Sequence, residues 1–306
     1  FMLENNYNKL PSSVNEQLAI LQNRGMLIDD EYFARNFLKE NYFYRFLNYS
    51  VSFFNSLSLH NDKHYRPGTC FTDVAKVYKF DSELRLLILK YIEHIEISAK
   101  TQFIHLSWKY GPHFYLNRKL FQNKKLFIDS IEKVDYQVRA SKDLLLNEYL
   151  IKYSSPDVPP VWAAVELMSI GQFTKWYANL KNNDDKQEIA KHFKLHHTIL
   201  FAILDNFTLI RNYSAHYARI WNRHYDFSIC VRDEKLKIIH ELLCSDNNQI
   251  YVVLLLMTYM LDTLDLSNEF VQKLTSLINK YKVDTSLMGF TSNWQENFKE
   301  IIHVTK

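Results

Sequence analysis

Glycine and proline are scarce in this chain, with 5 Gly and 6 Pro among 306 residues, and they fall between periodic segments rather than inside them. Residues that break helices are therefore rare, and runs that alternate apolar and polar residues, as half-buried strands do, are few. Many windows instead repeat their apolar residues every three or four positions. Together these features predict an all-α protein and argue against a sheet-based fold.

Cysteine is also scarce, and Cys70, Cys230 and Cys244 have neither a C-x-x-C spacing nor the spacing of a metal site. We therefore expect a reduced, cytoplasmic compartment and no secretory leader. The longest apolar run, from Ile250 to Leu261, is too short to span a bilayer and predicts a buried helix, so no membrane association is expected. The formal net charge of +3 is too small to indicate nucleic acid, and only local clusters of charge are informative.

The most distinctive stretch of the chain runs from Thr198 to Tyr225, where apolar residues recur at spacings of three and four for about six turns. This pattern predicts one long helix whose buried stripe is formed by Leu200, Ile203, Phe207, Ile210, Ser214, Tyr217 and Trp221. No carboxylate occurs between Arg211 and Tyr225. On a helical projection the polar face opposite the stripe carries Asn212, His216, Arg219 and Arg223. Such a face is either simply solvated or a basic binding surface.

An arginine precedes a histidine by five positions twice in this stretch, at Arg211 to His216 and again at Arg219 to His224. The spacing arises easily by chance, so counting matches does not choose between the two pairs. Lys100 and His105 have the same spacing with lysine in place of arginine. Lys100 either forms an i,i+4 ion pair on a helix face or belongs to a degenerate second site.

Glu166, and the pair His192 and His196, are further candidates for site residues. Glu166 is the one carboxylate in the short apolar helix predicted before Gly171, and a charge there should be paired because burying it alone is costly. It is either the structural partner of an arginine or a residue that orients an active site. His192 and His196 have i,i+4 spacing, but no third ligand is near and lysines flank them, so no metal site is predicted.

The remaining chain predicts helices separated by short loops. A capping box at Ser13 opens a helix that Gly25 closes, and an aromatic helix from Tyr32 to Phe54 must be enclosed by other helices, by a partner or by RNA. Thr72 is predicted to cap a helix, and a long amphipathic helix is predicted to follow it from Asp81 to Tyr110. Later helices are expected within residues 119–153, 233–246, 249–266 and 267–282, and residues 154–160 predict a loop.

Five ordered motifs carry a family resemblance that covers nearly the whole chain. They are R-L-L-I-L-K-Y-I-E-H-I-E-I from Arg85, K-Y-G from Lys109, P-V-W-A-A-V-E-L-M-S-I-G from Pro160, R-N-Y-S-A-H-Y-A-R-I-W-N-R from Arg211 and M-G-F-T-S-N-W from Met288. In this order they resemble the bacterial abortive-infection proteins of the AbiD/AbiF-like family. The set is far more specific than any one of its members.

The resemblance implies a HEPN-like, all-α fold, a role in phage defence and metal-independent cleavage of RNA without a cofactor. It places the family's arginine and histidine on Arg211 and His216. Asn212, four residues before His216, is a third candidate catalytic residue because its spacing lets it either orient the imidazole ring or hydrogen-bond a phosphate. Lys100 stands where relatives often carry arginine. Some AbiF-like relatives are paired with a small structured noncoding RNA, so a dedicated RNA is an expected partner.

HEPN ribonucleases use the 2′-OH of the RNA as the nucleophile, so the protein must move protons and stabilise charge on the phosphorane. Histidine titrates near neutral pH, and arginine matches two phosphate oxygens. On a straight helix, however, Arg211 and His216 point about 140° apart. Either the helix is distorted near Ser214, or a second chain completes the site, which predicts a homodimer. Arg219, Arg223 and Lys100 are then expected to bind the RNA backbone, and Tyr217 or Tyr213 to stack a base.

The expected domain organisation is a single all-α domain over residues 1–306. It has a HEPN-like core at residues 72–266 and additional N-terminal helices, residues 1–71, packed on that core. The predicted function is a metal-independent endoribonuclease of an abortive-infection system. The alternative function is an RNA-binding protein that holds a structured noncoding RNA without cutting it.

Overall fold

The structure, a computed structural model, describes residues 10–55, 63–226, 236–245 and 247–304. These ranges form helices and isolated β-bridges but no β-sheet, which confirms the all-α class. In chain order the α-helices are α1 Val14–Asn23, α2 Glu31–Glu40, α3 Phe43–Ser50, α4 Phe71–His105, α5 Ser107–Tyr110, α6 Lys124–Ala140, α7 Leu144–Lys152, α8 Val161–Glu166, α9 Ile170–Asn179, α10 Asn183–Lys191, α11 His197–Ala215, α12 Lys237–Cys244, α13 Ile250–Asp262, α14 Ser267–Tyr281 and α15 Trp294–Val304.

The chain divides into two compact units. One contains residues 1–84 and 277–283, and the other contains residues 85–276 and 284–306. Helices α4 and α14 each contribute residues to both units. The expected division into a core at 72–266 and an N-terminal extension at 1–71 stays a prediction. No helix in the described ranges has the length and apolarity needed to cross a bilayer.

The first unit is held together by aromatic packing. Its rings come from α2, α3 and the start of α4, and Phe46 stacks on Phe71 with centroids 4.4 Å apart. Phe37 meets Phe71 edge to face at 5.8 Å. Phe37, Phe46 and Phe71 are all buried, so within this unit the aromatic segment is a packing element, one of the alternatives that its sequence leaves open.

In the first unit, helices begin and end where capping residues and local hydrogen bonds place their boundaries, rather than where the spacing of apolar residues changes. Ser13 and Glu16 form the predicted capping box of α1, and Gly25 takes a left-handed φ of 85° just after it. The predicted single aromatic helix is wrong, because it breaks into α2 and α3 at Asn41. Asn41 is extended, and its side-chain amide donates to the carbonyl of Phe37 at 3.0 Å.

The second unit is built around α9, α11 and α13. All residues of α13 are buried, which confirms the prediction of a buried helix from its apolar run. Helix α11 packs against α9, α10 and α13, so it is covered on several sides along its length. The predicted helices within residues 249–266 and 267–282 are confirmed as α13 and α14.

Several helix boundaries differ from the predicted ones. Helix α4 is continuous from Phe71, so the predicted helix start at Asp81 is wrong. Gly171 lies inside α9 rather than ending a helix. Helix α15 has no counterpart among the predicted elements. The predicted helix 233–246 appears as α12, while its residues 233–235 and 246 lie outside the described ranges, as does Cys230.

Candidate functional site at the C-terminal end of α11

Helix α11 carries the first part of the predicted basic face and ends sooner than the apolar pattern indicates. The pattern predicts a helix from Thr198 to Tyr225, but α11 ends at Ala215. Tyr217, assigned to the buried stripe, is 70% exposed. Trp221 is buried as expected, yet it lies in a non-helical segment. The prediction is wrong beyond Ala215, because an apolar spacing can continue through a loop that folds back on the core.

The end of α11 is closed by a Schellman motif. The Tyr217 N–H donates to the Ser214 carbonyl at 3.3 Å, and the Ala218 N–H donates to the Tyr213 carbonyl at 2.8 Å. His216 is the C-cap residue, and Tyr217 follows it with a φ of 58°. Glycine is the usual residue at that left-handed position, because a side chain there is strained. The structure therefore holds a bulky aromatic residue in a strained conformation directly after His216.

Arg211, Asn212 and His216 lie on the last turns of α11 and at its cap. Arg211 is half-buried, and its Nη1 donates to Asn212 Oδ1 at 3.4 Å. Asn212 and His216 are exposed, and the His216 N–H donates to the Asn212 carbonyl at 2.9 Å. Within the described ranges no carboxylate forms an ion pair with Arg211. A guanidinium and an imidazole are thus presented to solvent near one helix end without a competing anion.

The segment after α11 folds back so that its arginines meet the last turn of the helix. The guanidinium carbon of Arg223 lies 3.9 Å from the ring centroid of Tyr213, a close cation–π contact. Nη1 of Arg223 also donates to the carbonyl of Arg219 at 3.4 Å. Tyr225 anchors the segment through its N–H, which donates to the Asn248 carbonyl at 2.8 Å. The Arg223 side chain is therefore half-buried and held in place, and the Arg219 side chain is half-buried as well.

Because of this packing, the two tyrosines beside the site, Tyr213 and Tyr217, differ in exposure. Tyr213 is half-buried, with Arg223 on one ring face, whereas Tyr217 is 70% exposed. An approaching planar group can reach the Tyr217 ring more readily. The sequence did not reveal the contact of Tyr213 with Arg223, because a helical projection cannot place a residue that lies beyond the true end of the helix.

Lys100 is engaged by its own protein. Its Nζ lies 2.7 Å from Glu96 Oε1 and donates to the Met168 carbonyl at 2.6 Å. The side chains of Lys100 and Glu96 are only 13% and 17% exposed. The predicted i,i+4 ion pair is confirmed. Lys100 also satisfies a carbonyl just beyond the end of α8, where a cation is favourable.

Helix α9, which begins just after Met168, lies antiparallel to α11. A Cβ at Gly171 would come within 2.9 Å of Thr208 Cγ2, so the start of α9 needs a glycine to approach the C-terminal half of α11. At the other end, Tyr177 Oη donates to the His197 carbonyl at 3.0 Å. Lys100 is thus joined through Met168 to the helix end that packs beside the last turns of α11.

Glu166 does not occupy the environment that its sequence predicts. It is the last residue of α8 and is exposed, and it forms no ion pair within the described ranges. The expectation of a buried, paired charge is wrong, because α8 is short and turns its final residue outward. Its role beside an active site stays a prediction.

The Lys100–His105 spacing does not bring its two members together. While Lys100 contacts Glu96 and Met168, the ring of His105 stacks on Trp108 with centroids 4.1 Å apart and an interplanar angle of 14°. The Lys100 side chain thus contacts the junction of α8 and α9, and the His105 ring packs against α5. Unlike Lys100, which is ion-paired with Glu96, neither Arg211 nor His216 forms an ion pair in the described ranges.

His192 and His196 lie on different helices, so the prediction that they share one helix face is wrong. His192 is the C-cap of α10, and its Nε2 lies 3.0 Å from Ser98 Oγ. His196 is the N-cap of α11 and bonds Thr198. No group of three or more potential ligands that could hold a metal occurs among the residues whose positions are described.

Comparison with known proteins finds a match to a protein family. A model of the family described as Abi-like protein matches residues 36–222. The match includes Lys100, Glu166, Arg211 and His216 and ends just before Arg223. No curated protein and no solved structure matches the chain.

Proposed function

This chain belongs to the family of Abi-like proteins, and we propose on that premise that it is a metal-independent RNA endonuclease of an abortive-infection phage-defence system. Family membership suggests the defence role. The observation that carries the enzymatic part is the presence of Arg211 and an exposed His216 at the C-terminal end of α11, with no carboxylate ion-paired to Arg211 in the described ranges. The expected HEPN-like character belongs to the proposal, as does the association with a structured noncoding RNA.

In the proposed reaction, the 2′-OH of the RNA attacks the adjacent phosphate, and the O5′ of the next nucleotide leaves. His216 transfers the proton, because its imidazole is exposed at the end of α11 and histidine is the side chain most often used for general acid–base catalysis. Arg211 stabilises the charge that develops on the phosphorane, since its fork matches two phosphate oxygens. Asn212 holds Arg211 through its carboxamide oxygen.

Tyr217 is the residue proposed to receive a base beside the scissile phosphate. Its backbone is strained, and its ring stays in solvent, so neither folding nor burial accounts for an aromatic side chain at this position. Stacking on an exposed aromatic ring is a common way to hold an unpaired base. Arg219 and Arg223 are proposed to contact the flanking phosphates from their fixed positions.

A second copy of the chain is proposed to complete the site. Helix α11 is regular through Ala215, so the side chains of Arg211 and His216 begin about 140° apart on its surface. A distortion of the helix near Ser214 therefore does not bring them together. In a homodimer that pairs two α11 ends, Arg211 of one protomer can act with the partner's His216.

An RNA-binding protein that does not cut is the second candidate function. The fixed arginines after α11 favour it, because phosphate binding needs only cations and no proton transfer. The engagement of Lys100 with Glu96 also favours it, since Lys100 is then not available as the cation of a second site in the same chain. Such a protein would hold its RNA through Arg211, Arg219 and Arg223 and would leave it intact.

The experiment that tests cleavage is an analysis of RNA ends. Purified protein is incubated with single-stranded RNA in excess EDTA, and His216→Ala serves as the matched control. The proposal predicts metal-independent cleavage that leaves 2′,3′-cyclic phosphate ends and is lost in the variant. Products with 3′-hydroxyl ends, or cleavage restored only by magnesium, would reject the mechanism. RNA that stays intact while bound would favour the second candidate.

A further inference from the structure

A second aromatic feature lies on α5, away from the residues assigned above. Trp108 is 81% exposed, which is unusual for the largest apolar side chain. One of its faces stacks on His105 with centroids 4.1 Å apart and an interplanar angle of 14°. With one ring face covered and so much of the side chain exposed, the other face is open to solvent.

The backbone that carries Trp108 is held firmly on both sides. Leu106, before it, is buried. After it, Nζ of Lys109 lies 2.8 Å from Asp185 Oδ1, and Tyr110 Oη donates to Asp185 Oδ2 at 2.9 Å. The side chain of Asp185 is 2% exposed, so a buried carboxylate on α10 fixes this short helix. Trp108 is therefore presented outward by a rigid support rather than by a flexible loop.

The surroundings of this ring pair are imidazoles and cations. His192 Nε2 lies 3.0 Å from Ser98 Oγ, and Ser98 lies two turns before His105 on α4, so both imidazoles lie along the same side of this helix. Burial and the charge of His105 lower the pKa of His192. Contact with Asp185 raises the pKa of Lys109, so this amine stays protonated beside Trp108 and neutralises the carboxylate. Lys191 precedes His192 and is exposed. An aromatic face with such neighbours suits a planar ligand that carries phosphates.

We propose that Trp108 and His105 form a stacking site for an unpaired RNA base, at the end of α11 opposite to Arg211 and His216. The proposal rests on the proposed function, because it takes RNA as the ligand. His192 and α10 lead into the first residue of α11, and the helix spans about 27 Å at 1.5 Å per residue. A single strand that reaches both places is gripped at a site remote from its cleavage point.

This arrangement has a consequence for substrate choice. Base stacking on an aromatic ring requires a base that is not paired, so the site selects single-stranded or looped RNA over a duplex. Stacking does not depend on the identity of the base, because every base has a π-face. The site therefore contributes affinity and the choice of strand state, while the residues at the end of α11 contribute the chemistry.

The test compares Trp108→Ala with Trp162→Ala, which removes a half-exposed tryptophan from α8, both in a His216→Ala protein that cannot cut. Affinity for single-stranded RNA is measured at several salt concentrations. Trp108→Ala should weaken binding roughly 5- to 100-fold with an unchanged salt slope, since no phosphate contact is lost. Trp108→Tyr should restore most of the affinity, and Trp162→Ala should bind like the parent.

The outcomes separate this site from the proposed function. If the His216→Ala parent binds RNA and Trp108→Ala binds it equally well, the stacking site is wrong while the function stands. If Trp108→Ala changes only the oligomeric state, the ring is a protein contact and the proposal is overturned. If wild-type protein neither cuts nor binds single-stranded RNA, the proposed function and the stacking site are rejected together.

Discussion

Lys100–His105 and Arg211–His216 each place a cation five residues before a histidine in the second unit, and their environments differ sharply. Lys100 is paired with Glu96 and bonded to the Met168 carbonyl, and His105 stacks on Trp108. Arg211 donates to Asn212 Oδ1 and forms no ion pair with a carboxylate in the described ranges, and His216 is exposed at a helix end. The same spacing serves structure in one segment and is left available in the other.

The difference shows that the spacing between a cation and a histidine identifies a candidate site. The residues around the two side chains then determine whether they are available to a ligand. A lysine whose charge is already satisfied inside the protein would have to break two contacts before it could bind a phosphate. An arginine at the end of a helix without a carboxylate partner can bind a phosphate at once. Variants at the two segments should therefore fail in different ways.

The largest expected effect is on catalysis at Arg211. Arg211→Ala should lower the single-turnover cleavage rate roughly 10²- to 10³-fold, because a charge-stabilising donor in the transition state is lost. Arg211→Lys should recover only part of the rate, since lysine keeps the charge but not the fork. The thermal midpoint should not change. A variant that cuts as fast as wild-type protein would remove Arg211 from the mechanism.

At Lys100 the expected effect is on stability instead. Lys100→Ala leaves the largely buried Glu96 carboxylate and the Met168 carbonyl without their partner, which should cost roughly 1–3 kcal/mol in the free energy of unfolding. The measurement is chemical denaturation, and Arg139→Ala is the control because it breaks an exposed i,i+4 pair with Asp135. Equal stability of the two variants would contradict the structural role of Lys100.

The smallest expected effect is at Tyr217, where it tests whether the exposed ring binds RNA. Tyr217→Gly should raise the free energy of unfolding by about 1 kcal/mol, because glycine has no strain at a φ of 58°. RNA affinity should fall in the same variant, since the exposed ring is lost. Lys282→Gly is the matched control: its φ is 50°, so it should gain stability without any loss of affinity. A Tyr217→Gly protein that binds RNA normally would remove the ring from the site.

Much of the architecture could be predicted from the sequence because caps and breakers act locally. The capping box at Ser13 and the buried run of α13 depend on neighbouring residues in the chain, and both predictions are confirmed. The end of α11 could not be predicted. It is set by backbone bonds to Tyr213 and Ser214 and by a left-handed tyrosine, for which the sequence offers no glycine as a signal.

The site residues were predicted only in part, for a similar reason. The i,i+4 pair of Lys100 with Glu96 is local and is confirmed. The exposure of Glu166 depends on where α8 stops, and the contact of Arg223 with Tyr213 depends on how the chain folds back after α11. Both are set by tertiary packing, which a helical projection does not contain.

The most direct measurement is the cleavage rate and RNA affinity of His216→Ala, beside His94→Ala, which removes an exposed histidine of α4 that belongs to neither proposed site. With protein saturating over a single-stranded RNA, His216→Ala should cut roughly 10²- to 10⁴-fold more slowly while its affinity changes less than about twofold. His94→Ala should cut at the wild-type rate under the same conditions. A His216→Ala protein that cuts normally, or equal losses in the two variants, would contradict the account.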